Sequence, residues 1–308
     1  MSEFTYTTER FTTSLIPEFI SLYQLTFKRK TNERSVRNMF GNQQEMLGYL
    51  AFEGKKVIGF YGAVPVDAVL NGRPVKAAQS VSTMVHPDYR TGELFLKLAE
   101  LTEMLAVKEG ISFIFGWPNS PRLFKGLLHW KEVDVMQDFV FKVPTLPLAK
   151  VAWKLDFLKP VYSCYFRLMV SILGYNNLKD PFIPENRGVY SLVPRSHAYL
   201  EYKRTLGSSF CMLGNKKVWF SRDYRLRIGD TDPCSLEEFE DITGKLKILA
   251  FFTGLTSIVF SVNESSAWKE LLEKKFKSGP GLVLMMKPLN NMDSMKSPMF
   301  TGGDMDTF

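Results

Sequence analysis

At His86 the apolar pattern of this chain changes its period, and that change fixes the order of elements around it. Upstream, residues 57–70 and 75–85 alternate as strands on either side of Asn71-Gly72, the pair favoured where both turn residues need positive φ. Residues 47–53 precede them across Gly54-Lys55-Lys56, which completes a three-strand antiparallel meander. Downstream, Leu94, Phe95, Leu98, Leu101 and Leu105 recur at helical spacing. Glu93, Lys97, Glu100, Glu103 and Lys108 lie opposite, and Gly110 follows as a stop. Between the two patterns sits His86-Pro87-Asp88-Tyr89-Arg90-Thr91-Gly92, a short turn with a basic residue and a glycine.

The flanking chain extends this order. An amphipathic helix carrying Leu15, Phe19, Leu22 and Phe27 and a short helix over 33–40 come first. After the central helix, 111–115 reads as a strand, 119–130 as a helix with Asn119 as its N-cap, and 133–143 as a strand. The result is an α/β order on a mixed sheet. Residues 144–178, with Pro147, Pro160 and the aromatics Trp153, Phe157, Tyr162, Tyr165 and Phe166, form a helical connector whose apolar stripe could also rest on lipid headgroups. Beyond Pro181 and Pro184 the order strand–helix–strand–helix–strand returns at 218–228, 236–249, 256–262, 268–272 and 282–287. The expected domains are 1–145, a connector over 146–184, and a second domain over 185–308.

Composition bounds the class. A chain of 308 residues, 45% apolar and 23% charged, can build two ordinary cores. A net charge of +7 suits a phosphate-bearing partner, but the 39 basic residues are scattered, so no nucleic-acid track is expected. The three cysteines, Cys164, Cys211 and Cys234, show no metal or redox spacing, and no metal is expected; they read as reduced, buried and structural. The start of the chain has no apolar leader pattern, and the most apolar stretch, 161–173, is interrupted by Arg167 and is shorter than the roughly 20 residues of a membrane span. The expectation is a cytoplasmic protein without a transmembrane segment; a homo-oligomer is left open.

A helix that starts on a short basic turn offers free backbone N–H groups and its dipole to an anion, and a pyrophosphate fits there. The segment from Val81 to Phe95 resembles the acyl-CoA signature of the GNAT superfamily, in which a strand ends in an aliphatic–His/Asn–Pro–x–Tyr/Phe–Arg run and enters a Q/R-x-x-G-x-G/A loop. Val57-Ile58-Gly59-Phe60-Tyr61-Gly62 is similar to the family's third strand, and Phe115-Gly116-Trp117-Pro118-Asn119 to the segment after its fifth. The second half resembles the degenerate repeat of tandem members. One departure is clear: with Arg90 in the Q/R place, the central glycine falls on Glu93 and the G/A position on Phe95, while Gly92 stands one place early.

The resemblance implies two GNAT-like domains, the second degenerate, and acyl-CoA as co-substrate at a single site. Coenzyme contacts would come from Val81, Ser82, Thr83, Met84 and Val85, from Arg90, Thr91, Gly92, Glu93, Leu94 and Phe95, and from Asn119 and Phe124. The turn corresponding to the pyrophosphate loop in the second half, Ile228-Gly229-Asp230-Thr231-Asp232-Pro233, is acidic and cannot attract a phosphate in the same way. Family enzymes let a neutral amine attack the thioester, with backbone N–H groups for the oxyanion. His86 and Asn119 are candidate catalytic groups, although His86 also suits the turn. The tyrosine that family members place on the fourth helix is missing; Phe124 occupies its face.

The ending Gly303-Asp304-Met305-Asp306-Thr307-Phe308 resembles that of bacterial tandem GNAT proteins encoded with surface-polysaccharide pathways, which makes Asp304 and Asp306 candidates for holding an ammonium or a sugar hydroxyl. The acceptor implied is a small amine, an amino sugar carried on a nucleotide. An aminoglycoside or protein-lysine acceptor, and a coenzyme-binding protein without turnover, are the alternatives.

Overall fold

The computed structural model describes residues 5–40, 46–70, 72–90, 92–175, 178–179, 193–290 and 299–305. The chain divides into two compact units, Met1–Val133 with Val283–Lys296 and Asp134–Leu282 with Ser297–Phe308.

In the first unit β1 (Thr7–Arg10) leads into α1 (Ile16–Phe27) and α2 (Glu33–Met39). The meander follows as β2 (Leu47–Glu53), β3 (Lys56–Leu70) and β4 (Arg73–Val85), then α3 (Gly92–Lys108), β5 (Phe113–Gly116) and α4 (Pro121–Leu128). Leu70 pairs with Arg73 and Gly72 has φ +75°, the tight hairpin expected from the sequence; Asn71 itself lies outside the described residues. The strand order is β1-β2-β3-β4-β5-β11, where β11 is Ser278–Pro288; β5 is parallel to β4, and the other neighbours are antiparallel. The sheet is mixed, as the element order implied.

β3 and β4 supply side chains to two cores. Phe60, Val64, Val81 and Met84 meet Phe19, Leu22 and Val36 of α1 and α2. Ile58, Tyr61, Ala63 and Ala78 meet Leu94, Leu98 and Ala99 of α3. Each buried Val, Leu, Ile, Phe or Met among these contributes about 2 kcal/mol of transfer free energy. Gly59 lets α3 ride close over the sheet, since a Cβ there would stand 2.8 Å from Leu98 Cδ1.

The second unit repeats the pattern. Helices α5 (Leu148–Lys154), α6 (Lys159–Ile172) and α7 (His197–Thr205) precede the meander β7 (Ser209–Leu213), β8 (Lys216–Arg222) and β9 (Leu226–Thr231). Then come α8 (Leu236–Thr253), β10 (Ser257–Asn263) and α9 (Ala267–Glu273). The strand order is β6-β10-β9-β8-β7, where β6 is Lys131–Lys142; β10 is parallel to β9 and the rest are antiparallel. Phe239, Ile242, Leu246 and Leu249 of α8 fill the core against Phe220, Ile228 and Phe260. The strand following α4 in sequence is β6, which pairs with β10, while β11, late in the chain, pairs with β5. Each unit thus takes a strand from the other half of the sequence. Of the cysteines, Cys211 is buried, with its thiol pushed up to about 12 by burial; Cys164, expected inside, is exposed on α6.

The tail is built into the second unit. Arg195, 5% exposed, donates from both terminal nitrogens to the Asp304 carboxylate, from Nη2 to Thr301 Oγ1 (2.9 Å) and from Nε to Asp230 (3.2 Å). Lys203, 1% exposed, donates to the Met305 carbonyl at 2.6 Å, and a Cβ on Gly303 would strike the Trp219 ring at 2.5 Å. The Asp304 carboxylate is therefore engaged by a buried ion pair within the second unit. Asp306 lies outside the described residues.

Breaking a buried pair from one side leaves a charge without compensation. We expect Asp304→Asn to destabilise the fold by about 3 kcal/mol in urea unfolding. A lost rate with an unchanged unfolding midpoint would instead place Asp304 in the chemistry.

Candidate active site

The site begins with an irregularity in β4. Gly62 pairs with Val81 and Phe60 with Met84, so Ser82 and Thr83 together face the single residue Tyr61. This is a β-bulge, and Ser82 adopts φ +51°, which non-glycine residues seldom do. Its neighbours enforce it. Val81 and Met84 are locked in the α1–α2 core, and the Ser82 hydroxyl donates to Met39 Sδ at 3.2 Å.

On its other edge β4 pairs with β5 only from Ala77 to Gln79. β5 ends at Gly116, where a Cβ would stand 3.4 Å from Ser80 Cβ, and the chain then turns toward α4. From Val81 to Val85 the second edge of β4 has no strand partner among the described residues. The Thr83 hydroxyl is buried there without a hydrogen-bond partner among the described residues. An edge of this kind offers backbone N–H groups to a bound amide chain and to a developing oxyanion.

The turn after β4 is rigid. The His86 N–H donates to the Ile58 carbonyl (2.8 Å), and its Nδ1 accepts from the Asp88 N–H (3.3 Å), which makes His86 the cap of the 3-10 turn Pro87–Tyr89. The Tyr89 hydroxyl donates to Glu53, its ring packs edge-on to His86 at 5.3 Å, and the Lys56 ammonium lies 4.7 Å from the ring centroid. Burial, then Lys56, lowers the His86 pKa, so the ring is a neutral acceptor that shapes the turn. It lines a cleft of about 370 Å³ with Ser21, Leu25 and Lys56, on the α1 side of the sheet.

Arg90, Gly92 and Glu93 are exposed at the start of α3, and Thr91 lies outside the described residues. A Cβ on Gly92 would meet Leu127 Cδ1 at 3.2 Å, so α4 bounds this helix start. The side chains of Leu94 and Phe95 belong to the core, and Phe124 lies edge-on between Phe95 (5.6 Å) and Trp130 (5.0 Å). Leu94 and Phe95 can serve an anion only through their backbone. The Phe124 ring is spent on packing.

Asn119 is exposed but is not the cap of α4. That position is Ser120, because Pro121 takes the first helical place, and the Ser120 side chain makes no capping bond. A polar cluster missed by pattern reading lies beneath the bulge. Glu103, assigned by periodicity to the solvent face, is largely buried beside Lys287 of β11 (3.7 Å), and burial raises its pKa. Tyr61 is fully buried near it, with its pKa pushed far up by burial and then by Glu103. Lys287 is brought here by the late strand β11, so nothing local in the sequence announces the cluster.

The second unit shows the same device closed. Trp219 pairs with Asp230 and Phe220 with Ile228, leaving Gly229 as a bulge in β9. β9 pairs with β10 only from Leu226 to Ile228. Beyond that point Thr301 bridges to Val262, and a Cβ on Gly302 would lie 3.2 Å from the Ile228 carbonyl, so the chain's own tail fills the gap. The N-terminus of α8 is satisfied by a Ser235–Glu238 capping box.

Residues 7–127 match the model of the acetyltransferase (GNAT) domain. Among solved structures, a GCN5-related N-acetyltransferase from Kribbella flavida is 13% identical, over 92% of this chain and 71% of that one, with a TM-score of 0.57. A GCN5-related N-acetyltransferase from Anabaena variabilis is 12% identical, over 93% and 73%, with a TM-score of 0.58. N-myristoyltransferase from Saccharomyces cerevisiae, solved with myristoyl-CoA bound, is 11% identical, over 91% and 82%, with a TM-score of 0.61. No curated protein sequence matches the chain. The likenesses among solved structures show the fold, residues 7–127 are similar to a GNAT acetyltransferase domain, and the open edge of β4 lies inside that matched segment.

Proposed function

We propose that the protein transfers an acyl group from acyl-CoA to the amine of an amino sugar, with a nucleotide-linked deoxyamino sugar as acceptor, in the cytoplasm. The observation that carries the coenzyme part is the bulge at Ser82-Thr83, beyond which one edge of β4 has no strand partner among the described residues, just before the start of α3. The diphosphate is read to lie at the first turn of α3, near Arg90 and Gly92, and the pantetheine arm along residues 81–85. The neutral amine attacks the thioester carbonyl, the C–N bond forms as the C–S bond breaks, the nitrogen gives up a proton and the departing thiolate gains one. Backbone N–H groups of β4 carry the transient oxyanion.

The acceptor rests on different support. The ending of the chain resembles that of proteins encoded with surface-polysaccharide pathways, and a net charge of +7 suits an acceptor that carries a diphosphate. The filled gap of the second unit and its capped helix support one coenzyme site per chain. Glu93, in the first turn of α3, favours a second reading, a coenzyme-binding protein without turnover.

The deciding experiment is a thiol-release assay over a panel of amino sugar nucleotides, aminoglycosides and lysine peptides with acetyl-CoA and longer acyl-CoAs. Release with a sugar nucleotide alone is the expected result. Release only with aminoglycosides or peptides would replace the acceptor, and no release would leave the binding protein. Coenzyme A at about 100 times its dissociation constant should raise stability by about 2.7 kcal/mol. An unmoved unfolding midpoint at millimolar coenzyme would end the proposal.

Glu93 sets a further expectation. Glu93→Gln should tighten coenzyme A binding about threefold by removing a like charge near the diphosphate. The same change should cost about 0.5 kcal/mol of stability, because a first-turn carboxylate favours its helix dipole. Calorimetric titration and thermal unfolding read the two effects separately.

A further inference from the structure

Helix α6 is apolar on both sides. Phe166 and Val170 are buried and Tyr162 and Met169 pack beside them in the core of the second unit, yet Val161, Leu168 and Ile172 stand 66%, 54% and 64% exposed. These three fall at i, i+7 and i+11, one stripe of the helix. A surface helix normally turns a polar face to water. Here the outward stripe is aliphatic.

The stripe continues onto neighbouring elements. Phe157, in the turn before α6, is 73% exposed, and Trp153 of α5 is 40% exposed. The end of α8 adds Phe251 and Phe252, each 50% exposed. Hydrogen bonds tie these pieces together: the Tyr165 hydroxyl of α6 donates to the Phe252 carbonyl (2.6 Å), and the Thr145 hydroxyl to the Phe251 carbonyl (2.7 Å). An apolar face of this extent on one side of a domain marks a docking surface.

Its charge selects the occupant. Between residues 146 and 172 the sequence holds four basic residues, Lys150, Lys154, Lys159 and Arg167, and one acidic residue, Asp156. Lys150, Lys154 and Arg167 are exposed, and the Lys159 ammonium lies 4.9 Å from the centroid of the Trp153 ring. A second copy seated on this face by two-fold symmetry would set these positive charges against their own kind. An anionic lipid surface satisfies both features, accepting apolar side chains between headgroups and lysines at the phosphates. No described helix is long and apolar enough to cross a membrane, so the contact is peripheral. We propose that the outer face of α5, α6 and the end of α8 docks on an anionic membrane surface, with Phe157, Val161 and Leu168 entering the headgroup layer.

Sedimentation of the full chain with vesicles tests this. The wild type should pellet with vesicles rich in phosphatidylglycerol, bind pure phosphatidylcholine at least about tenfold more weakly, and come off as salt is raised. Phe157→Glu, and separately Lys150→Glu with Lys154→Glu, should abolish pelleting. Their thermal midpoints should stay at the wild-type value, because these side chains are exposed. Failure to pellet with anionic vesicles, or pelleting that Phe157→Glu leaves intact, overturns the proposal. So does a dimer in sedimentation velocity that Phe157→Glu converts to monomer, since a second copy would then cover the face.

Discussion

A strand inside a sheet has no amide hydrogen to spare, because both edges are taken by its neighbours. The first unit contains one departure from that rule on which its candidate site depends, the two residues Ser82 and Thr83 set against Tyr61. The extra residue bends β4, and up to Val85 the strand has one paired edge and, among the described residues, no partner on the other. A left-handed serine costs about 1 kcal/mol and persists because its surroundings over-determine it. Val81 and Met84 on either side are core residues, and α2 receives the serine hydroxyl.

The second unit shows the same geometry with its opening filled by the chain itself. Its bulge is a glycine, Gly229, which adds no side chain to the bend, and the gap beyond it holds Thr301 and Gly302. Arg195 fastens that insertion by pairing with Asp304 of the tail and Asp230 of β9 at once. A phosphate would face Asp230 and Asp232 at the turn, and a helix start already served by Ser235 and Glu238. Two units with one topology therefore differ in what is laid across the opening.

The meander, the Asn-Gly hairpin and α3 were legible because each is written in a short window: alternation, a turn pair, and a helical stripe ending at a glycine. The repeat of the order in the second half was legible for the same reason. The exchange of β6 and β11 between units was not, since a strand's periodicity says nothing about which sheet receives it. That exchange is what brings Lys287 to Glu103 and draws the carboxylate inward, against the reading of α3 as having a uniformly wet outer face. Asn119 failed as a cap for a more local reason, the proline at 121. Helix α7 was missed; its stripe is weak, and only Leu200 and Lys203 are buried.

The candidate site was legible as a place more than as a set of side chains, and the physics of the bulge explains why. Chemistry carried by main-chain amides needs a bent strand and a free helix start, and almost any side chain can supply the backbone. Two residues picked for their titratable groups also do structural work: neutral His86 caps a turn, and Asp304 pairs with Arg195. Other sequence marks at the candidate site shape the backbone. His86-Pro87 closes the strand, Gly92 opens the helix beside Leu127, and Gly116 lets β5 approach Ser80 just before the two strands part.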